Sequence, residues 1–299
     1  MTDGKLQDRP LAGIAFMVTA FVTVAVGDAL TKAVIVALPI AQFLVLRSAS
    51  VLILLLPVFL RAGGLVVFRT ERLGLHLLRC ALNGASLLLF YVALRRLELA
   101  TLFAIGFVGP LLMTALSVPI LGERVGPHRW AAIAIGFLGA LVIVNPGAGG
   151  FEPAALIAMA GTALWATSMV LVRKMSATES DAALLAYINV SLLLLGAVGA
   201  PFVWGEVTLA QTGFIAMLAV TLVAGQWLML RAFRLAPIGV VAPFQYTGIV
   251  WATLIGWAFW NEFPAPNVWV GAAILIASGL YVMWRERIRS RQRASARSA

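Results

Sequence analysis

The chain has 299 residues, 62% of them hydrophobic and only 11% charged. A soluble domain carries about 25% charged residues, so a water-soluble fold is excluded. The net charge of +10 invites nucleic acid as a partner, but the basic residues sit at the ends of apolar stretches and not along one face, which excludes that reading.

A membrane-crossing helix needs about 20 apolar residues. The chain offers such stretches at 11–31, 39–60, 73–94, 98–121, 129–145, 153–173, 181–203, 209–231, 237–260 and 267–284. The expected fold is an all-α membrane protein of ten transmembrane helices, arranged as two inverted five-helix repeats. Residues 1–10 are a cytoplasmic N-terminal segment, 11–145 the first repeat and 146–152 a periplasmic linker. Residues 153–284 are the second repeat and 285–299 a cytoplasmic basic tail. The start, MTDGKLQDRPLAGIAF, has no small-residue cleavage site after a short apolar run, so the first stretch reads as a retained helix.

In chain order, the first stretch carries Thr23 about 18 Å from its start, near mid-membrane. Near its far end Asp28 and Lys32 stand four apart, a spacing that permits an ion pair on one helix face. Arg47 lies about 12 Å inside the second stretch. A central Arg costs about 3 kcal/mol unless paired. Asp28 is its expected partner, fixing the first helix against the second. A role in proton coupling or in recognising substrate charge is the other reading of Asp28, Lys32 and Arg47. Asn83 is the polar residue at depth in the third stretch. The fourth holds Gly109, Pro110 and Pro119 and ends at Glu123. The fifth carries Gly136 and Gly139. Small residues at this spacing predict close packing against the tenth stretch, which has Gly271, Ala272, Ala273, Ser278 and Gly279.

In the second half, Trp165 lies about 18 Å into the sixth stretch. Gln245 and Tyr246 sit at a similar depth in the ninth. Lipid offers no hydrogen-bond partners at that level. Thr23, Asn83, Trp165, Gln245 and Tyr246 are therefore candidate substrate-binding residues lining a central cavity. Interhelical bonding is the competing role for Asn83 and Gln245, and packing for Trp165. The basic tail RERIRSRQRASARSA lacks apolar periodicity and is expected to be disordered and to touch anionic lipid.

The chain repeats itself. Ala93–Leu141 aligns without a gap onto Ala232–Leu280, with Arg95 on Arg234, Gly109 on Gly248, Glu123 on Glu262 and Trp130 on Trp269. A second alignment places Lys32 on Lys174 and Thr23 on Trp165. Five crossings per copy force the copies into opposite orientations. Such inverted repeats build a site near the bilayer midplane that opens to either side. With the N-terminus cytoplasmic, every Lys and Arg except Lys32, Arg47, Arg79, Arg95 and Arg96 falls at a cytoplasmic end, as positive-inside topology requires. Reporter fusions after Gly150 or Gly205 should then read as outside, and at Ala299 as inside.

No catalytic constellation stands out. His76 and His128 are separate, the one cysteine is Cys80, and no metal-ligand spacing or phosphate loop occurs. No metal, cofactor or ATP-driven step is expected. An intramembrane enzyme would need a paired acid and base in the membrane, which the sequence lacks. A scaffold is the remaining alternative of another class.

Several segments resemble the drug/metabolite transporter superfamily, in the branch with two EamA-type repeats. They are RSASVLILLLP from Arg47 to Pro57, DALTK from Asp28 to Lys32, ATLFAIGFVGPLLMTALSVPILGERV, and its second-half copy APFQYTGIVWATLIGWAFWNE. The resemblance covers about residues 11–284. It implies a ten-helix carrier with a cavity lined by helices 1, 3, 4, 6, 8 and 9, often a bacterial inner-membrane exporter of amino acids or related metabolites. Uptake of a nucleoside-like solute is the alternative direction. A small-molecule substrate and the lipid bilayer are the expected partners, and a monomer is the simplest state. The second copy departs from the pattern at Asn261, where the first has Gly122. The tightness of that turn is the feature this puts in question.

Overall fold

The computed structural model describes residues 9–123, 125–145, 153–176 and 178–298. The linker 146–152, residues 1–8 of the N-terminal segment and Ala299 lie outside the described residues. What is described is helical, with no strand among those residues. The elements are α1 (Pro10–Ile35), α2 (Ile40–Arg61), α3 (Leu73–Leu94), α4 (Leu99–Gly106), α5 (Val108–Leu121), α6 (Pro127–Val144), α7 (Pro153–Met175), α8 (Asp181–Val203), α9 (Leu209–Leu235), α10 (Ile238–Val241), α11 (Gly248–Trp260) and α12 (Pro266–Ser298). Short 3₁₀ turns occupy Gly64–Phe68 and Ala242–Thr247.

Lipid leaves no choice but helix for a single crossing segment, because each backbone N–H and C=O must be satisfied within the segment. Among the described residues nine helices are long and apolar enough to cross a membrane, α4 and α5 counting together as Leu99–Leu121. The remaining stretch, the ninth in the sequence, is present but broken: Ile238–Trp260 runs as α10, a 3₁₀ turn and α11. Large apolar side chains such as Leu11, Phe202 and Leu209 face outward, 81%, 86% and 89% exposed. Only a lipid environment makes such a surface stable. The chain is a multi-pass membrane protein.

The two interrupted helices are repeat equivalents. The α4–α5 break falls at Phe107, and the repeat alignment carries Phe107 onto Tyr246, inside the 3₁₀ turn. Each break has a proline beside it, which removes one backbone donor. Pro110 leaves the Gly106 carbonyl without its helical partner, and Pro243 opens the 3₁₀ turn. The rings of Phe107 and Tyr246 meet edge to face with centroids 4.9 Å apart. Equivalent residues of the two halves thus touch each other.

Packing follows the same exchange of halves. α1 packs mainly on α9, and its mirror pairing is α3 on α7; α2 on α8 and α6 on α12 each map onto themselves. The α6–α12 seam is close because of its small residues. A Cβ on Gly271 would stand 2.5 Å from the Gly139 carbonyl oxygen. In the equivalent contact Ser278 donates a hydrogen bond to the Ala132 carbonyl. Under the alignment Gly139 falls on Ser278 and Ala132 on Gly271, so one contact is the image of the other.

Two sequence expectations change here. Asn261 does not loosen its turn. It caps α11 in the left-handed region at φ 55°, as Gly122 caps α5 at φ 71°. Both turns close with the same backbone bonds, Glu123 N–H to Ser117 and Glu262 N–H to Gly256. Asn is among the few residues that tolerate this conformation. The tail also departs from expectation, since α12 continues to Ser298. Arg, the commonest residue of this segment, favours helix.

Candidate functional site

Between the halves lies a cavity of about 390 Å³, within the usual range for small-molecule sites. Its wall is built by α1, α3, α4, α5 and α7, with Gln245 from the 3₁₀ turn. The α4–α5 break contributes Gly106, Phe107 and Pro110 to the wall. Phe21, Phe90, Phe103, Phe107 and Trp165 make it largely aromatic. Two glycines make room for these rings: a Cβ on Gly109 would strike the Trp165 ring at 2.9 Å, and one on Gly248 would meet Phe103 at 2.8 Å.

Four polar side chains from separate elements reach the cavity: Asp28, Asn83, Trp165 and Gln245. None of them has a hydrogen bond or ion pair to the described residues. Their neighbours on the wall behave differently. Ser86 donates to the Gly161 carbonyl at 2.8 Å and Thr162 to the Ala158 carbonyl at 2.9 Å. The cavity thus gathers polar groups whose partners must come from its contents.

Thr23 and Tyr246 are placed elsewhere. The Thr23 hydroxyl donates to the Thr19 carbonyl at 2.8 Å, and its methyl lies near Gly225 on α9. Tyr246 is buried at 7% exposure, held between Phe107 and the Gly279 backbone on α12. It stands behind the cavity wall. The Asp28–Lys32 pair permitted by spacing does not form. Lys32 turns away and bonds the Leu97 carbonyl at 3.0 Å and the Glu262 carboxylate, with its ammonium over the Trp260 ring. Asp28 keeps Arg47 as its nearest opposite charge, acting through space and not through a direct bond. One Arg47 guanidinium nitrogen, Nη1, is buried without a hydrogen-bond partner.

Both ends of the bundle carry a charged pair. At the end where α1 finishes, Lys32 holds Glu262, and the pair is nearly closed from solvent, with side chains 7% and 22% exposed. Burial pushes the adjacent Glu98 carboxyl above the usual range, opposed by the Thr101 hydroxyl that bonds it and reinforced by Glu262. At the opposite end Arg173 pairs with Glu123 at 2.7 Å, with side chains 68% and 34% exposed. There Lys174 reaches the Ile120 carbonyl. The alignments carry Lys32 onto Lys174 and Glu123 onto Glu262, so each pair joins equivalent elements.

A further polar cluster sits beside the Arg173 end. His76, wholly buried, stacks on Tyr187 with ring centroids 4.0 Å apart and approaches Glu179 at 3.2 Å. Thr70 donates to the same carboxylate at 2.7 Å. Burial raises the Glu179 carboxyl, but the Thr70 hydroxyl, His76 and Arg72 outweigh it and hold the group below its ordinary value. The cluster ties the α2–α3 connection to the α7–α8 turn.

Comparison with known proteins decides the family. Residues 11–145 and 152–284 each match the EamA-like transporter family. The chain is an EamA-like transporter. A riboflavin transporter of Vibrio cholerae is 27% identical, over 96% of this chain and 98% of its own. One from Rhizobium johnstonii is 30% identical, over 95% and 92%. The pseudopaline exporter CntI of Pseudomonas aeruginosa is 26% identical, over 89% and 94%. As a member of this family the chain is a transporter of small solutes and not an enzyme. The aromatic wall of this EamA-like transporter escaped the sequence reading. Phe21, Phe90 and Phe103 sit in uniformly apolar runs, where no periodicity separates a ring facing lipid from one facing a cavity.

Proposed function

We propose that this chain is a secondary carrier of a flat heterocyclic metabolite, working by alternating access in the bacterial inner membrane. The observation that carries the reading is the cavity itself. It offers aromatic faces for stacking and two side-chain amides, Asn83 and Gln245, free to bond the edge of a ring. The two riboflavin transporters among its relatives support a substrate of that kind. Amino-acid export, the expectation from resemblance, is less well served. A zwitterion brings a carboxylate, and among the described residues no cation lines the cavity. Relatives named for uptake and for export both exist, for S-adenosylmethionine and pseudopaline respectively, so direction follows the gradient in this reading.

The frame we propose is ten crossings in two inverted repeats with both termini cytoplasmic. The exchange of halves in packing supports it, as do the equivalent helix breaks beside the cavity. The end pairs then act as alternating latches. Lys32–Glu262 seals the outer end, while Arg173–Glu123, more exposed, marks the inner end. Purified protein in vesicles tests the reading. Riboflavin flux, measured with and without a pH gradient and against tryptophan as an amino-acid control, should be saturable and specific for the heterocycle. Saturable tryptophan flux without riboflavin flux would overturn the substrate class.

A further inference from the structure

Which forms of a heterocycle the carrier accepts depends on the charges that face its cavity. The charge inventory of the cavity bears on this. Among the described residues Asp28 is the one charged side chain on the wall. The nearest cation, Arg47, does not line the cavity, and its Nη1 is enclosed in protein. Lys32, one turn beyond Asp28, is committed to Glu262 and the Leu97 carbonyl. The other free groups on the wall are amides and an indole N–H. An anion entering this space would shed its hydration and meet no counter-charge. Ionised, Asp28 repels it; protonated, Asp28 still offers none.

We propose that Asp28 makes the cavity select by charge, so that it takes neutral or cationic flat heterocycles and rejects their anionic derivatives, phosphate esters above all. The inference rests on the carrier reading for its biological sense, but it is a statement about binding. Such a site would let the cell pass a free metabolite while retaining the phosphorylated form, without a separate filter. The selectivity comes from rejecting the wrong ligand as much as from attracting the right one.

The experiment compares ligands matched in shape and differing in charge, bound to purified protein in nanodiscs and read by isothermal titration calorimetry. The pairs are riboflavin against riboflavin 5′-phosphate, and tryptamine and tryptophol against indole-3-acetate. The anions should bind at least about tenfold more weakly than their neutral or cationic partners, since a like charge facing them across the site disfavours binding. Asp28→Asn should narrow the ratio of neutral to anionic affinity, and Asp28→Glu should keep it. The wild-type series decides the question even where a variant folds poorly. Anion binding within about threefold of the neutral partner, or no binding by any of the ligands, overturns the proposal. Flux separates the two claims. The charge order in binding without any transport sinks the carrier reading alone, and equal transport of esters and free heterocycles sinks the charge filter alone.

Discussion

Trp165 and Gln245 illustrate how a side chain is assigned at the residue scale. Both reach the cavity without a protein partner, so their removal empties the site and leaves the packing. Trp165→Ala and Gln245→Ala should each lower riboflavin flux about tenfold, the loss of one good stacking or hydrogen-bond contact. Expression and melting temperature should stay near wild type. Tyr246→Ala should behave in the opposite way, because that ring wedges Phe107 against α12. It should cost about 3–5 kcal/mol of stability, in the range for a buried aromatic. Unfolding in detergent, followed by tryptophan fluorescence, separates the two classes. If Trp165→Ala melted as early as Tyr246→Ala, the cavity assignment of Trp165 would fall.

Glu179 gives a pH test at the same scale. Its carboxyl is held below the ordinary value of 4.5 in the folded state. A depressed acid contributes stability that is present above the unfolded value and is lost as pH falls through the folded one. Melting temperature should therefore drop on acidification below about pH 4.5, more steeply in wild type than in Glu179→Gln. Identical slopes would show that the Thr70, His76 and Arg72 contacts do not favour the charged form.

Among elements, the α6–α12 seam and the two end pairs differ in purpose. The seam depends on backbone approach, with Gly271 against the Gly139 carbonyl. Gly271→Leu would force the helices apart and should cost about 1–3 kcal/mol or more, read as a lower melting temperature. The paired turns are tuned rather than packed. Asn261→Gly should be nearly neutral, whereas Asn261→Val places a β-branched residue at φ 55° and should cost about 1–2 kcal/mol or more. The end pairs should change transport before stability. If the proposed latch holds, Glu262→Gln frees Lys32, and a cysteine placed near Leu97 should label faster from the side where α1 ends. Glu123→Gln, at the more exposed pair, should leave that labelling unchanged. Equal labelling in both variants would remove the latch role from Lys32–Glu262.

At the scale of the molecule, the exchange of halves organises everything else. The crossing elements α1, α3, α7 and α9 pair across it, and the two broken helices meet on it at Phe107 and Tyr246. The alternating access proposed above asks only that one set of interfaces close while its image opens. The topology this needs has a direct check. A reporter after Gly205 should read as outside and one at the C-terminus as inside, and the reverse pattern would invert the assignment of the two latches.

Much of this was legible in the residues alone. Apolar runs near 20 residues long fix the membrane class, because no other use of such segments satisfies a backbone in lipid. The repeat was readable because the same loop chemistry, Gly-Glu or Asn-Glu, recurs at the same spacing. Asn83, Trp165 and Gln245 were visible as polar or amphipathic residues at mid-depth. Only the tertiary structure decided that these three share a cavity with Asp28 while Thr23 and Tyr246 do not. It also decided that Lys32 takes Glu262 in place of Asp28. The physical reason is rotation and reach. Depth along a helix follows from counting residues, but the face a residue turns inward depends on which helix packs against it. A partner 230 positions away leaves no local trace in the pattern.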